Sequence, residues 1–314
     1  MSDRQKVLIT GVAGFIGSNL AERLLSEGYE ILGIDNLAYG LKENVPEGVE
    51  FHCVDIRSKD IFLLFNGADT VFHLAAKNCI ADCQNDPVET TEINVLGTVN
   101  VFEAAKRAGV RKVVYAESSA LYEGSSLFPT PESEAKPESF YAISKLASMH
   151  FAKAYKTFYG LRFTGLRYFC VYGPVQDYRR TIPPVMSAFV IKLLKGERPI
   201  IYGTGEKRRD FVYVDDVNDF HLMCILDERT DGKAFNIGSG VNYSVHEILD
   251  KISRMLGVSS NPIYKDDLPG EAQVTLADIT QAKGLGWEPK TTLHVGLQRS
   301  IDYIRKEMAA GRIP

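Results

Sequence analysis

Two residues that could carry out proton transfer lie four positions apart, at Tyr141 and Lys145. In a helix this spacing places both side chains on one face. A tyrosine has a pKa of about 10, so a proton acceptor at neutral pH needs a pKa lowered by roughly 3, equivalent to about 4 kcal/mol. A neighbouring ammonium group favours the phenolate in this way. The alternative is a tyrosine–lysine pair that only decorates a helix, and it would be the better interpretation of the pair alone.

A serine hydroxyl close to the predicted strand 112–116 could assist the same chemistry. Ser118 could donate a hydrogen bond to the substrate oxygen that Tyr141 deprotonates. A serine that only closes a strand is the alternative, and Ser119 is open to the same two interpretations.

Three glycines near the amino terminus could bind phosphates. Gly11, Gly14 and Gly17 follow the apolar run 7–10, which is typical of a buried strand, and lead into the amphipathic segment 18–26, which predicts a helix. Glycines let the backbone approach a pyrophosphate, and a helix amino terminus supplies free N–H groups and positive potential. A glycine triplet in an ordinary turn is the alternative, but the strand before it and the helix after it favour dinucleotide binding.

An acidic residue ends the next predicted strand, 30–35. Asp35 can accept hydrogen bonds from the hydroxyls of an adenosine ribose, and its charge would repel a 2′-phosphate. The segment therefore predicts NAD rather than NADP. The positively charged nicotinamide ring would further favour the phenolate of Tyr141.

Strands and helices alternate through the first half of the chain. The predicted strands after residue 35 are 49–53, 69–74, 112–116 and 163–168, and the predicted helices are 87–108 and 140–159. This alternation predicts an α/β fold with a Rossmann-like, doubly wound parallel sheet.

The pattern changes after residue 174 and predicts a smaller mixed α/β lobe at the carboxyl ends of the sheet strands, where ligands bind. Predicted strands at 199–202, 209–214 and 234–237 are interspersed with helices at 185–194, 215–226, 244–257 and 293–306. We therefore expect an NAD-binding domain at residues 1–172, to which the chain returns around residues 209–239, and a substrate-binding lobe at residues 173–314.

Composition excludes several classes of function. The 314 residues include 36 Lys and Arg against 40 Asp and Glu, a net charge of −4 that does not indicate a nucleic-acid partner. There is no signal peptide pattern and no apolar run long enough to span a membrane, so a cytoplasmic location without membrane association is expected.

Five scattered cysteines argue against a disulfide framework. The Cys79–Cys83 pair lacks the further ligands of a metal site, and His73 and Trp287 are interpreted as core residues.

Motifs that cover nearly the whole chain resemble the NAD-dependent epimerase/dehydratase family of extended short-chain dehydrogenase/reductases. Within it they are most similar to nucleotide-sugar epimerases of the UDP-glucose 4-epimerase type. The motifs are residues 11–17 (GVAGFIG), 35–36 (DN), 55–56 (DI), 73–76 (HLAA), 94–98 (NVLGT), 118–122 (SSALY), 141–145 (YAISK), 167–174 (RYFCVYGP), 203–216 (GTGEKRRDFVYVDD) and 235–238 (FNIG).

The resemblance implies a tightly held NAD with its ribose at Asp35 and Asn36, its adenine at Asp55 and Ile56, and its nicotinamide near Tyr168. The full implied set of cofactor-binding residues is Gly11, Gly14, Phe15, Ile16, Gly17, Asp35, Asn36, Asp55, Ile56, Leu74, Ala75, Ala76, Tyr141, Lys145 and Tyr168. No metal is implied.

For the reaction, the resemblance implies that Ser118, Tyr141 and Lys145 are catalytic and that the substrate is a nucleotide-diphosphate sugar. The implied substrate-binding residues are Ser118, Ser119, Tyr141, Cys170, Tyr202 and Arg209, with the base stacked on Tyr202 and the diphosphate on Arg209. The implied mechanism is oxidation at C4, rotation of the 4-keto sugar and reduction on its other face. A homodimer, formed through a four-helix bundle of the helices that begin near Pro87 and Phe140, is also implied.

Three positions differ from the family pattern. Cys170 replaces the usual Asn, Leu268 replaces an Arg that contacts the diphosphate, and Ala120 stands where dehydratases and decarboxylases have a catalytic Glu. The last difference favours epimerisation over the alternatives, which are a dehydratase, a 4-keto reductase and a non-catalytic NAD-binding regulator. Cations that could replace the missing Arg are Arg179, Arg180, Lys207 and Arg208. Solvated loop charges are the preferred interpretation of Lys207 and Arg208.

Overall fold

The structure is a computed structural model that describes residues 5–268 and 270–313. In chain order its strands are β1 Lys6–Thr10, β2 Glu30–Asp35, β3 Glu50–Cys53, β4 Thr70–His73, β5 Lys112–Ser118, β6 Arg162–Tyr168, β7 Cys170–Tyr172, β8 Ile200–Tyr202, β9 Arg208–Tyr213, β10 Lys233–Ile237, β11 Asn242–Ser244 and β12 Ile263–Lys265.

The α-helices are α1 Phe15–Ser26, α2 Ile80–Asn85, α3 Pro87–Thr91, α4 Thr98–Ala108, α5 Phe140–Tyr159, α6 Val185–Leu194, α7 Val214–Leu226, α8 Val245–Leu256, α9 Thr280–Gly284 and α10 Leu293–Ala309. A π-helix, Glu92–Gly97, joins α3 to α4, and 3-10 helices form at Lys42–Asn44, Lys59–Phe65, Ser119–Tyr122 and Glu228–Thr230.

Seven parallel strands form the central sheet, in the order β10-β6-β5-β4-β1-β2-β3. Its strands are apolar because helices cover both faces, and β4 is buried along its whole length. The chain runs outward in opposite directions from β1 and β4, so a crevice opens at their carboxyl ends. The predicted doubly wound parallel sheet is confirmed.

The smaller part of the molecule contains two short sheets. One has the order β11-β9-β7 and is mixed, and the other pairs β12 with β8 in parallel. A core separate from that of the large sheet fills this part, between α6, α8 and α10. Strand β10 pairs with β6 in the large sheet, so the chain re-enters it after β9.

Several elements differ from the sequence-based expectations. Helix α1 begins at Phe15 rather than at residue 18, and the helix predicted over 87–108 contains a π-helical segment. The short strands β7, β11 and β12 and helices α2 and α9 were not predicted. Trp287 is buried against Phe220 and donates its indole N–H to the carbonyl oxygen of Asp216, 2.9 Å away, which confirms its core position. No helix among residues 5–268 and 270–313 has the length and apolar character that a membrane crossing requires.

Candidate active site

A cavity of about 690 Å³ lies at the carboxyl ends of the central strands. Every residue that the sequence predicted for cofactor, substrate or catalysis lines this cavity, except Ser119. Ser119 begins the 3-10 helix that follows β5, where the chain turns away from the strand direction. The predicted residues are therefore brought together in one place, which spacing along the chain alone could not establish.

The glycine loop between β1 and α1 is packed too closely to hold side chains at Gly11 and Gly17. A Cβ on Gly17 would lie 2.1 Å from the carbonyl oxygen of Gly11, and one on Gly11 would lie 2.7 Å from the amide nitrogen of Ala75. Gly11 also has a positive φ of 77°, which favours glycine. Since Gly14 at the N-cap has no side chain, the amino terminus of α1 is open to an anion. This cradle fits the pyrophosphate of a dinucleotide.

Asp35 is fixed at the end of β2 by two backbone donors. Its Oδ2 accepts from the Ala13 amide at 3.0 Å and its Oδ1 from the Leu37 amide at 2.8 Å, while burial raises the pKa of the carboxyl group. Each oxygen keeps a lone pair for a ribose hydroxyl. Next to it, Asp55 accepts from Asn36 at 2.8 Å and pairs with Arg57, whose hydrogen bonds hold the pKa of Asp55 at about 2.

Tyr141 and Lys145 lie in the first two turns of α5, which Ser139 caps by accepting from the Ala142 amide at 3.1 Å. The Lys145 ammonium group lies 5.9 Å from the centre of the Tyr141 ring and donates to the Ala116 carbonyl oxygen at 3.1 Å. Both groups line the cavity beside Ser118 at the end of β5.

Burial shifts the pKa values of Tyr141 and Lys145 in opposite directions. Burial raises this pKa to about 12, against the weaker lowering effect of the Ser118 side chain, and burial lowers the pKa of Lys145 to about 8. Burial is therefore the dominant influence on the Tyr141 pKa. The positive charge of a nicotinamide ring is expected to act in the opposite direction.

A buried charge network behind the site was missed by sequence reasoning. Glu117 also lines the cavity, and its Oε2 accepts from Nε of Arg167 at 2.7 Å. Arg167 donates to the Tyr122 hydroxyl at 2.8 Å, which donates to Oδ1 of Asn236 at 2.6 Å. A Cβ on Gly165 would lie 2.5 Å from Glu117 Oε1, so this glycine makes room for the carboxylate. The negative charge of Glu117 raises the pKa of Lys145 against the effect of burial.

The far wall of the cavity carries Arg209, Tyr202 and Leu268. Nη2 of Arg209 lies 3.3 Å from Oε2 of Glu271. Lys207 is also on this wall and is buried, with its ammonium group paired to Glu271 at 3.1 Å. The interpretation of Lys207 as a solvated loop charge is therefore wrong, because its side chain turns inward with that of Arg209.

The other candidate cations differ in position. Arg179 pairs with Asp177 and donates to the Tyr39 carbonyl oxygen at 2.6 Å, and it is not itself among the residues that line the cavity. Arg180 lines the cavity, 3.9 Å from Asp177. Arg208 points to Glu247 at 3.0 Å, outside the cavity. Of these three, only Arg180 lines the cavity.

Two buried histidines have structural partners. His73 lies between the hydroxyls of Thr10 at 2.8 Å and Thr98 at 2.9 Å, and burial lowers its pKa to about 3. This confirms its interpretation as a core histidine. His221 lies 2.6 Å from the hydroxyl of Tyr168, which lines the cavity. Cys170 lines the cavity, and burial raises the pKa of its thiol to about 11. Over the residues that the structure describes, no cluster of three metal-ligating side chains is found.

Comparison with known proteins finds relatives that align with nearly the whole chain. A "Putative UDP-glucose 4-epimerase" of Methanocaldococcus jannaschii is 36% identical over 303 residues, covering 95% of this chain and 98% of the relative. A UDP-glucuronate 4-epimerase of Thermodesulfobacterium geofontis is 34% identical, covering 96% of each. The crystal structure of UDP-glucose 4-epimerase with UDP-glucose from Thermotoga maritima superimposes with a TM-score of 0.93 at 34% identity, covering 97% of this chain and 100% of that one.

A family model agrees with these relatives. The model of the NAD dependent epimerase/dehydratase family matches residues 7–238, which include the glycine loop, Asp35, Tyr141 and Lys145. The match confirms the prediction of NAD as the cofactor. With the fold, the cavity and the relatives in agreement, this chain belongs to the NAD-dependent epimerase/dehydratase family.

Proposed function

We propose that the protein is a nucleotide-sugar 4-epimerase of the UDP-glucose/UDP-galactose type. One observation carries the proposal: Ser118, Tyr141 and Lys145 line the same cavity as the glycine loop, at the point where β5 ends. Tyr141 would thereby be within reach of a sugar bound between the dinucleotide site and Arg209.

The chain would contribute binding, orientation and proton transfer. The glycine loop and the amino terminus of α1 would bind the pyrophosphate, and Asp35 the ribose. NAD bound there would supply reversible hydride acceptance, so that C4 of the sugar could be oxidised and then reduced on its opposite face. Tyr141 would accept the proton of the C4 hydroxyl, with Ser118 orienting the substrate oxygen. Because Lys145 has a pKa of about 8, it is mostly charged at neutral pH and can stabilise the phenolate.

The proposed substrate is a UDP-hexose. Relatives of this chain carry the names of both UDP-glucose and UDP-glucuronate 4-epimerases. Tyr202 and Arg209 are proposed to bind the base and the diphosphate, and Cys170 and Ser119 to lie near the sugar. Ala120, where dehydratases and decarboxylases of the family have a Glu, favours an epimerase over the dehydratase and reductase alternatives. The three catalytic groups weigh against a non-catalytic regulator.

We also propose a homodimer, formed through α5 and the helical segment 87–108. Phe140, Ile143, Phe151 and Phe158 are exposed and lie along one side of α5, and Leu96 is exposed in the neighbouring π-helix. A stripe of large apolar side chains of this kind is typical of a surface that a partner covers. A cytoplasmic location remains a prediction.

Light scattering would test the dimer by measuring the mass in solution. Phe151→Asp should yield monomers, whereas Leu226→Asp, at a more exposed apolar position at the end of α7, should not. A parent protein with the mass of one chain would contradict the proposal.

Incubation with a panel of nucleotide sugars, with NMR analysis of the products, tests the activity. An epimerase should produce the C4 epimer of a UDP-hexose as an isomer of unchanged mass, and Tyr141→Phe should produce almost none. A keto product with loss of water would identify a dehydratase. Reduction of a 4-keto sugar that depends on added NADH would identify a reductase. NAD binding without any product across the panel would favour the regulator.

A further inference from the structure

Two cations converge on one point of the cavity wall. Lys207 and Arg209 are two residues apart where the chain enters β9, and alternate residues of an extended chain share a face. The Lys207 ammonium nitrogen lies 3.1 Å, and Nη2 of Arg209 3.3 Å, from the same oxygen, Oε2 of Glu271. A single anionic oxygen can therefore be bound by both cations at once.

The solvent exposure of Lys207 and of its carboxylate partners indicates which of these groups a ligand could replace. The side chain of Lys207 is 5% exposed, whereas those of its carboxylate partners Glu271 and Asp267 are 31% and 47% exposed. A buried ammonium group needs a close anion, because loss of hydration is unfavourable. The carboxylates lie on the solvent side, so an incoming oxyanion can take the place of Glu271 by rotation of one side chain.

The charge of the expected ligand matches this arrangement. A sugar-linked diphosphate carries two negative charges, and Arg209 alone neutralises one. Leu268, on the same wall, supplies none at the position where the family resemblance implies an arginine. An ammonium group has three donors that can be shared between oxygens of both phosphates.

We propose that Lys207 is the second cation for the substrate diphosphate, acting beside Arg209 and replacing the arginine absent at position 268. This inference rests on the proposed function, since it needs a nucleotide-diphosphate substrate. The alternative is that Lys207 only ties the segment around Asp267 and Glu271 to β9. The two roles differ in what they do to phosphate binding.

Calorimetric titration of the NAD-saturated protein with UDP and with uridine distinguishes them. A hydrogen bond between charged groups corresponds to about a ten- to hundredfold change in affinity. Lys207→Gln should therefore weaken UDP binding by that factor and leave uridine binding unchanged. Arg208→Gln is the matched control, since its guanidinium group contacts Glu247 and Asn242 outside the cavity, and it should leave both affinities unchanged.

Two further variants separate a ligand contact from a tether. Asp267→Asn removes a carboxylate partner of Lys207 but leaves the positive charge of Lys207 in place, so UDP affinity should stay the same or rise. The double variant Lys207→Gln/Leu268→Arg should regain the UDP affinity that Lys207→Gln loses. Leu268→Arg should increase UDP affinity more in the Lys207→Gln protein than in the parent, because the new arginine would replace the charge that Lys207 supplied. Comparing the increase in UDP affinity between the two backgrounds still tests the inference if Lys207→Gln lowers the stability of the protein.

Several results would overturn the inference. Equal losses for UDP and uridine in Lys207→Gln, or a loss in Asp267→Asn as large as that in Lys207→Gln, would identify a tether. Equal gains from Leu268→Arg in both backgrounds would show that Lys207 does not contact phosphate. A parent protein that binds NAD but not UDP would remove the proposed uridine-nucleotide substrate together with this inference, whereas unchanged UDP binding in Lys207→Gln would remove the inference alone.

Discussion

The choice between NAD and NADP should depend on the single charge of Asp35. Its carboxylate is buried at the end of β2 and lines the cavity next to Asn36. In Asp35→Asn the side-chain shape is kept and the charge is lost. We expect NAD to bind the parent protein much more tightly than NADP, and this preference to narrow sharply in the variant.

The magnitude follows from Coulomb's law. A carboxylate about 5 Å from one phosphate charge, at an effective dielectric constant of about 20, is repelled by about 3 kcal/mol, which is roughly a hundredfold or more in affinity. The variant also has a stability penalty. The two oxygens of Asp35 accept from the amides of Ala13 and Leu37, and an asparagine has only one oxygen to offer. One buried N–H therefore loses its partner, at about 1–3 kcal/mol in the free energy of unfolding.

Calorimetric titration of cofactor-stripped protein with NAD and NADP measures the preference, and urea unfolding measures the stability. Asp55→Asn is the matched control, because Asp55 lines the same cavity and is held by Arg57. It should change both affinities by a similar factor and leave their ratio as it was. Similar affinities for NAD and NADP in the parent, or an unchanged ratio in Asp35→Asn, would show that the reasoning about this charge is incorrect.

Two further predictions concern proton transfer. Tyr141→Phe should keep the fold and NAD affinity, because the ring still packs in the same place, while turnover falls by about 10²- to 10⁴-fold; near-parent turnover would assign the base to another residue. Glu117→Gln should shift the alkaline limb of the pH–rate profile to lower pH, because the charge of Glu117 raises the pKa of Lys145 and its loss lets the ammonium group deprotonate earlier. A limb that stays in place in a folded Glu117→Gln variant would remove this role for Glu117.

The large sheet was predictable because its signals are local. Residues 7–9 and 113–116 form short continuous apolar runs, as expected for strands buried on both faces, and glycine or proline marks many of the element ends. The strands that were missed, β7, β11 and β12, have three residues each. Three residues are too few to show a period of two, and these strands form by pairing with distant segments of the chain.

The candidate site was predictable where its chemistry lies in one short segment. The glycine loop and the pair Tyr141 and Lys145 are each contained within a single motif. The partners of Glu117 are not, since Arg167 follows it by 50 residues and nothing local indicates that the two meet. The pKa of Tyr141 was also beyond the sequence, because it depends on how far the ring is buried rather than on which residue lies four positions away.

The contrast between Lys207 and Arg208 shows which signal was overlooked. The sequence-predicted strand began at residue 209, so both residues were assigned to a loop and treated as solvated. In the structure β9 begins at Arg208, and the extended pairing continues one residue further, because the Lys207 carbonyl oxygen accepts from the amide of Val245 at 3.1 Å. The period of two therefore includes Lys207 and places it on the cavity side with Arg209, while Arg208 points to Glu247. If the predicted strand had begun two residues earlier, Lys207 and Arg208 would have been assigned to opposite faces, because adjacent residues of an extended chain point to opposite sides.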